Sequence, residues 1–173
     1  MTILSSDRVT STTLIRQSFA NLYNLINNRA NVPDPNDSSG KRKFVYQRFP
    51  DIKSLRFQGY PFIVVSRSKP SKKLGTADLT KSFISFDFFI SIYAREKGGN
   101  ELGEYVGANT SDIITDAVRS TLDSVSNQKT LINQGMANLE YNIDPSEDED
   151  LDGELVYVSE FDIRFNNNLT TTG

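Results

Sequence analysis

The sequence contains neither histidine nor cysteine. Nucleophiles of the serine–histidine and cysteine–histidine types, imidazole or thiolate zinc sites and disulfide bonds are therefore excluded. An enzyme made from this chain would have to use carboxylates, lysine, tyrosine or a hard cation, and no pattern isolates a carboxylate in an apolar pocket. Because most domains with so few reactive side chains are not enzymes, we predict a protein without catalytic residues, metal site or cofactor.

Long apolar runs are missing as well. The hydrophobic fraction is 37%, and no run approaches the roughly 18 residues of a membrane-spanning helix. We therefore expect no membrane contact and no signal peptide. The length of 173 residues suits a single domain, because folding at that size buries roughly 70% of the exposable surface without cross-links. Polar arms or long loops are expected to dilute an ordinary core.

The net charge of −3 hides two opposed segments. Residues 41–73 carry ten cations and one anion, a net charge of +9, whereas residues 140–164 carry ten anions and one cation, a net charge of −9. In a monomer these segments can fold against each other. If they lie apart, copies attract head to tail, and such contacts close into rings or grow into filaments. The basic segment can also contact phosphates, although it lacks the regular aromatic interleaving of a single-strand binder.

The apolar spacing predicts two helices. Residues 12–29 carry apolar side chains at helical intervals and follow a polar stretch, residues 1–11, that is expected to form a loose arm. Residues 31–42 contain two prolines and many turn-forming residues, which predicts a loop. The second helix is expected over residues 101–124, and two glycines four residues apart give it a smooth face that admits close packing by a strand or a neighbouring molecule.

Strict alternation makes residues 81–95 the strongest strand candidate. Every even position from Ile84 to Ala94 is apolar, whereas the odd positions include serines, aromatic residues and Asp87. This pattern predicts a long strand with one buried face and with Asp87 on the other face. Because the odd face is too aromatic to be wholly solvated, we expect a second copy to cover part of it. Further strands are predicted at residues 44–49, 60–66, 138–144 and 154–165.

These elements predict the α+β class, with a mostly antiparallel sheet and two helices packed on one face, in a single domain over residues 1–173. Residues 69–78 are expected to form a basic, turn-rich connection, and residues 145–153 an acidic hairpin tip. Residues 166–173 are rich in asparagine and threonine, which predicts a C-terminal arm that is disordered or held by a partner.

The acidic tip begins like a calcium-binding loop. Residues 148–155 fit the pattern Asp-x-Asp-x-Asp-Gly-x-Leu, in which alternating carboxylates supply oxygen ligands and glycine permits a sharp turn. The twelfth position is Ser159 instead of a bidentate glutamate, and the flanks have strand patterns rather than helical ones. A monomeric binding module, using either this loop for calcium or the basic patch for nucleic acid, is the alternative function.

The order of elements resembles that of the tail-terminator proteins of long-tailed bacteriophages, which complete the tail and join it to the head. The features that carry the resemblance are the helix at 14–26, the segments at 60–65, 84–95 and 157–165, and the helix after Asn100. The resemblance covers most of residues 12–165. The acidic segment and the loop at 31–42 are not part of the family's pattern, and the family has no catalytic signature.

The resemblance implies a structural protein of the virion, assembled in the host cytoplasm into a ring of six copies. The ring would cap the tail tube protein, contact the head connector protein and let DNA pass through its lumen. We hypothesise that basic residues of one copy face acidic residues of the next; an acidic tip that lines the lumen is the alternative, because it would let DNA slide. The residues of this inter-subunit hypothesis are Arg67, Lys69, Lys72 and Lys73 on one copy and Glu147, Asp148, Glu149, Asp150 and Asp152 on the other.

Overall fold

The computed structural model describes residues 4–67, 71–74, 81–96, 106–151 and 153–170. The helices within these residues are α1 (Leu4–Ile26), α2 (Val106–Asp123) and α3 (Val125–Asn133). The strands are β1 (Val45–Tyr46), β2 (Phe62–Arg67), β3 (Ser71–Leu74), β4 (Lys81–Arg95), β5 (Ala137–Leu151) and β6 (Glu154–Thr170). The predicted α+β class with a mostly antiparallel sheet is confirmed, and three helices instead of two pack against the sheet.

One sheet contains all six of these strands, in the order β1-β2-β4-β6-β5. Strand β3 also pairs with β4, opposite residues 82–85, beyond the stretch of β4 that pairs with β2. The pairing of β1 with β2 is parallel and the other pairings are antiparallel. Strands β4 and β6 pair along their whole common length, from Lys81 opposite Thr170 to Arg95 opposite Val156. This strand pair forms the centre of the sheet, and β2 and β3 pair with one of its outer edges and β5 with the other.

The alternation along β4 is confirmed. Its even positions from Phe86 to Ala94 are buried, and four of them join the main core between the sheet and the helices. The other buried members of that core include Leu22 and Ile26 of α1, Ile114, Val118 and Leu122 of α2, and Phe161, Ile163 and Phe165 of β6. Each fully buried side chain of this size contributes about 1.5–3 kcal/mol, so this face supplies most of the stability of the fold.

A second, aromatic cluster lies on the opposite face of the sheet. Phe62 of β2 is fully buried there, with Tyr46, Phe57 and Tyr60 from the segment that precedes β2. The Phe62 ring stacks on Tyr93 of β4, with centroids 4.8 Å apart. The cluster thus fixes residues 43–60 over the end of the sheet at which β4 finishes.

Several predicted boundaries were wrong because polar residues continue regular elements. Residues 4–11 belong to α1 rather than to a loose arm, residues 145–151 continue β5, and residues 166–170 continue β6. Part of the predicted connection, residues 71–74, forms β3. Because β4 extends to Lys81, it offers backbone partners to β3 and β6, and such pairing needs no apolar side chains. Residues 1–3, 152 and 171–173 of the predicted arms and tip lie outside the described residues.

Two smaller differences have local causes. The strand predicted at residues 44–49 is reduced to Val45–Tyr46, because the chain then turns to cover Phe62. Helix α3 was not predicted, since Leu131 is the only one of its residues that is buried in the core. The first five residues of the predicted second helix, 101–105, lie outside the described residues, and α2 begins at Val106.

Gly107 permits the close approach of α2 to the end of β4, as the glycine spacing predicted. It is buried, and its N–H donates a 2.9 Å hydrogen bond to Oε2 of Glu96. A Cβ atom at this position would lie 2.9 Å from both the Cα and the backbone nitrogen of Glu96. These are backbone atoms, so they cannot move aside without displacing the helix or the strand end.

We therefore expect Gly107→Ala to lower the free energy of unfolding by about 1–3 kcal/mol, as other overpacked sites do. Urea denaturation followed by far-ultraviolet circular dichroism measures the loss. Asn109→Ala, at an exposed position in the same helix, is the control and should change stability by less than about 0.5 kcal/mol. Equal stability of Gly107→Ala and the wild type would contradict the close packing.

Candidate functional site

The acidic segment forms a hairpin at one corner of the sheet. Strands β5 and β6 meet at a tight turn, with Leu151 opposite Glu154 and with Gly153 at a φ of +82°. Asp-Gly is a favoured sequence for such a turn because glycine adopts the left-handed conformation without strain. Residues 147–150 of the inter-subunit hypothesis lie on the β5 backbone opposite residues 155–158 of β6, whereas Asp152 lies outside the described residues.

The backbone of the hairpin differs from that of a calcium-binding loop. Residues 148–159, which would form the twelve-residue loop, instead belong largely to two paired strands. The carboxylate of Asp150 accepts a 2.7 Å hydrogen bond from the Gly153 N–H and so stabilises the turn. Among the residues that the structure describes, no group of three or more acidic side chains is arranged to hold a metal ion.

The basic residues of the hypothesis lie at the other end of the long strand pair. Arg67 ends β2, and its guanidinium carbon lies 5.7 Å from the ring centre of Phe19 in α1. Lys72 and Lys73 lie on β3, opposite Ile84 and Phe83 of β4. Lys69 lies outside the described residues.

Within one chain, the acidic and basic sets are far apart. The register places Glu147 level with Tyr93 of β4 and places Lys72 level with Ile84. Residues 147–149 and 72–73 are thus nine to twelve positions apart along β4, or about 30–40 Å at the rise of a strand. They also flank β4 on opposite sides, since β3 pairs with it on the β2 side and β5 lies beyond β6. The two sets therefore cannot neutralise each other in a monomer.

A second basic surface is a cleft made by residues 43–57. Its volume is about 870 Å³, and Lys43, Arg48 and Arg56 line it together with aromatic side chains. One of these, Phe49, keeps 44% of its surface exposed. The ammonium of Lys43 lies 4.8 Å from the ring centre of Tyr46, and burial raises the pKa of the Tyr46 hydroxyl. We call this surface the basic cleft. Sequence reasoning missed it because the turn that brings these cations together has no periodic pattern.

One cation of the basic segment, Arg42, has a purely structural role. Asp34 has a fully buried side chain, and its Oδ1 accepts hydrogen bonds from Arg42 (3.1 Å) and from the Asn36 N–H (2.9 Å). Arg42 also donates to the carbonyl oxygens of Gly59 and Pro61. The long proline-containing loop is thereby tied to the start of β2.

Asp37 stabilises the same loop through hydrogen bonds and an ion pair nearer the protein surface. Its carboxylate accepts hydrogen bonds from the Ser39 hydroxyl and from the Arg42 N–H, and the Arg29 guanidinium lies 3.4 Å away. These interactions, led by the hydrogen bond from Ser39, hold the pKa of Asp37 well below its usual range. The loop at residues 31–42 therefore belongs to the folded body of the protein.

The sheet face opposite the helices carries an acidic surface that sequence reasoning also missed. Asp87 lies on this face, as predicted, and accepts a 2.9 Å hydrogen bond from the Nε of Arg164. In the next rows of the same face, Glu160 accepts a 2.7 Å hydrogen bond from the Ser91 hydroxyl. We call the part of this surface that is level with positions 87–91 of β4 the acidic face. It contains Asp87, Glu140, Asp144, Glu160, Asp162 and Arg164. The sequence signal that could have revealed this surface is the alternation along β6 of the charged residues 160, 162 and 164 with the buried residues 161, 163 and 165.

The remaining observations concern the chain as a whole. Of the helices that the structure describes, none combines the length and the apolar character needed to cross a membrane. No protein-family model matches the chain, and no curated protein matches it significantly.

Proposed function

We propose that this protein is a structural subunit that assembles head to tail into a ring, and that the ring is the tail terminator of a long-tailed bacteriophage. The observation that supports assembly is the placement of opposite charge on opposite sides of one sheet, with the acidic hairpin on the β5 side and with Arg67, Lys72 and Lys73 on the β2–β3 side. Each copy thus presents two surfaces that are complementary to each other and not to themselves. Such heterologous contacts generate rings when the rotation closes.

The faces of the sheet suit the inside and the outside of such a ring. If the two sides of the sheet contact the neighbouring copies, one face points to the lumen and the other points outward. The helices cover one face. On the other face, the part that residues 43–60 do not cover carries five carboxylates and one guanidinium, a net charge of −4. An acidic wall repels phosphates, so DNA would pass along it without binding.

The proposed binding partners follow from the resemblance of the order of helices and strands to that of tail-terminator proteins. A tail terminator has the tail tube protein on one side and the head connector on the other, and it acts in the virion without catalysing a reaction. The composition of the chain agrees with that role, because it contains no histidine or cysteine, and the buried carboxylate of Asp34 is paired with Arg42.

Light scattering after size exclusion, at several protein and salt concentrations, tests the assembly. We expect a discrete multiple of the 19.4 kDa chain mass that dissociates as salt rises, because exposed ion pairs are screened. Negative-stain images should then show closed rings with a central hole. A monomer under all of these conditions, also in the presence of tail tubes, would contradict the proposal.

Reversal of charge on β3 tests the inter-subunit hypothesis stated for the sequence. Each exposed ion pair contributes only about 0–1 kcal/mol. If these lysines form the contact, Lys72→Glu with Lys73→Glu should weaken assembly moderately and make it less sensitive to salt. The matched control is Arg16→Glu with Lys129→Glu, which changes the charge equally at exposed positions of α1 and α3. Unchanged assembly of the β3 variant at low and high salt would remove these lysines from the contact.

A gel-shift assay with duplex DNA separates the ring from a nucleic-acid-binding module. A module that binds through its basic patch should retain DNA, with an affinity that falls steeply as salt rises. A ring with an acidic lumen should leave the DNA unshifted at moderate salt. Salt-dependent retention by a monomer would favour the binding module over the ring.

A further inference from the structure

We infer that the acidic hairpin of one copy binds in the basic cleft of the next copy. The acidic hairpin is the end of β5 and the start of β6, residues 144–155, and the basic cleft is the surface lined by Lys43, Arg48 and Arg56. This inference rests on the proposed ring and names the contact that would hold it together.

The positions of the two basic surfaces along the strands favour the basic cleft, rather than β3, as the contact site of the hairpin. In a closed ring, equivalent points on neighbouring copies have the same height along the ring axis. If the strands run along this axis, both halves of a contact must therefore lie at similar positions along the strands in one chain. Strand β1, which borders the cleft, is level with positions 91–92 of β4, and residues 147–149 are level with positions 93–95. The offset is one to four positions, about 3–14 Å. For β3 the corresponding offset is about 30–40 Å, as described above.

The charges of the two surfaces are complementary. Three cations line the cleft, and Asp51 is the acidic residue among its lining. The hairpin carries seven anions in twelve residues. Steering between such surfaces raises the association rate and fixes which surface is bound, while exposed pairs add little affinity.

Apolar side chains beside the charges supply the affinity that exposed ion pairs lack. Leu55, between two residues that line the cleft, is fully exposed, and Phe49 of the cleft is 44% exposed. On the hairpin, Leu155 is 45% exposed. A partner with its own exposed leucine can bury such apolar side chains on association.

The hairpin of the same chain does not fill the cleft. Leu151 and Glu154 line a different cavity of about 470 Å³, together with Ile52, Lys53, Phe57 and Arg95, and Arg95 lies 3.0 Å from the Glu154 carboxylate. Phe57 also borders the basic cleft, so it separates the two spaces. No described residue of β5 or β6 lines the basic cleft, which leaves it open to a hairpin from another copy.

Disulfide trapping tests this contact directly, because the chain has no cysteine of its own. Leu55→Cys and a differently tagged Leu155→Cys are mixed, oxidised briefly and separated by size without reductant. We expect the mixed dimer to exceed each symmetric dimer several-fold, and to diminish when salt is raised before oxidation. The control mixes Leu155→Cys with Lys129→Cys, an exposed position on α3, and should give only the background level of mixed dimer.

Charge reversal supplies an independent measurement. Arg48→Glu with Arg56→Glu should weaken assembly by roughly tenfold or more, a larger effect than the same change at Lys72 and Lys73. Adding Glu147→Lys and Glu149→Lys to the same chain should restore assembly, because the complementarity is then re-established with opposite signs.

The outcomes separate this inference from the ring itself. Rings without preferential trapping, and without an effect of Arg48→Glu with Arg56→Glu, would overturn the contact and leave the ring intact. A monomer that neither assembles nor traps would contradict both proposals. Binding of a single-stranded oligonucleotide that is lost on Arg48→Glu with Arg56→Glu, with no trapping, would show that the cleft binds nucleic acid instead.

Discussion

Replacement of Asp34 with alanine is expected to lower the free energy of unfolding by about 3–5 kcal/mol, the usual cost of removing one partner of a buried ion pair. The carboxylate has no exposed surface and lies 3.1 Å from the Arg42 guanidinium, which is itself only 12% exposed. Without Asp34, that cation stays in the protein interior with carbonyl oxygens as its remaining partners. The loss of stability reflects the uncompensated charge more than the lost hydrogen bond.

Thermal denaturation measures this effect conveniently. For a chain of this size, each kcal/mol shifts the midpoint by about 2–4 °C, so we expect the Asp34→Ala midpoint to fall by roughly 6–20 °C. Asp34→Asn retains the shape and a hydrogen-bond acceptor and should lose less. Asp112→Ala, which removes an exposed carboxylate of α2, should stay within about 0.5 kcal/mol of the wild type. A midpoint for Asp34→Ala equal to that of Asp112→Ala would disprove the structural role of the buried pair.

The second large effect is expected at Phe62, whose replacement with alanine should cost about 3–5 kcal/mol. Its ring has no exposed surface and lies 5.3 Å from Phe57, 5.2 Å from Tyr60 and 4.8 Å from Tyr93, centre to centre. Alanine would leave a cavity that the flanking strands cannot close. Because this ring anchors residues 43–60, the basic cleft should lose its shape as well.

Urea unfolding gives the stability of Phe62→Ala, and near-ultraviolet circular dichroism reports the packing of the tyrosines around it. The chain has no tryptophan, so tyrosine dominates that signal. Phe49→Ala is the matched control, because Phe49 contacts the same Phe62 ring but is 44% exposed, and it should cost less than half as much. Equal losses for the two variants would mean that Phe62 is not the centre of the cluster.

The sequence predicted those parts of the fold that a regular side-chain pattern encodes. The alternation from Ile84 to Ala94 located β4 with the bounds that the structure has, and Asp87 lies on the face that the alternation assigned. Helical spacing likewise found the core-facing part of α1, including Leu22 and Ile26. These patterns succeed because burial on one face imposes a period on the residues themselves.

Strands that form by backbone pairing between polar residues have no such side-chain pattern in the sequence. Residues 71–74 and 166–170 are strands because β4 extends far enough to pair with them, not because their side chains alternate. The opposed charges were visible in the sequence, but their separation by the length of β4 was not. The basic cleft was invisible for a related reason, since Lys43, Arg48 and Arg56 come together only when the aromatic cluster folds the chain around Phe62.

The uninterrupted pairing of β4 with β6 also determines a physical dimension of any assembly in which these strands run along the axis. Fifteen consecutive residue pairs span about 50 Å at the rise of a strand. A ring of such subunits would be about 50 Å thick whether it held five, six or seven copies, because the number of copies changes its diameter only. The protein would then act as a spacer of constant length between whatever it joins, and that length could be changed only by inserting or deleting residues in both strands together.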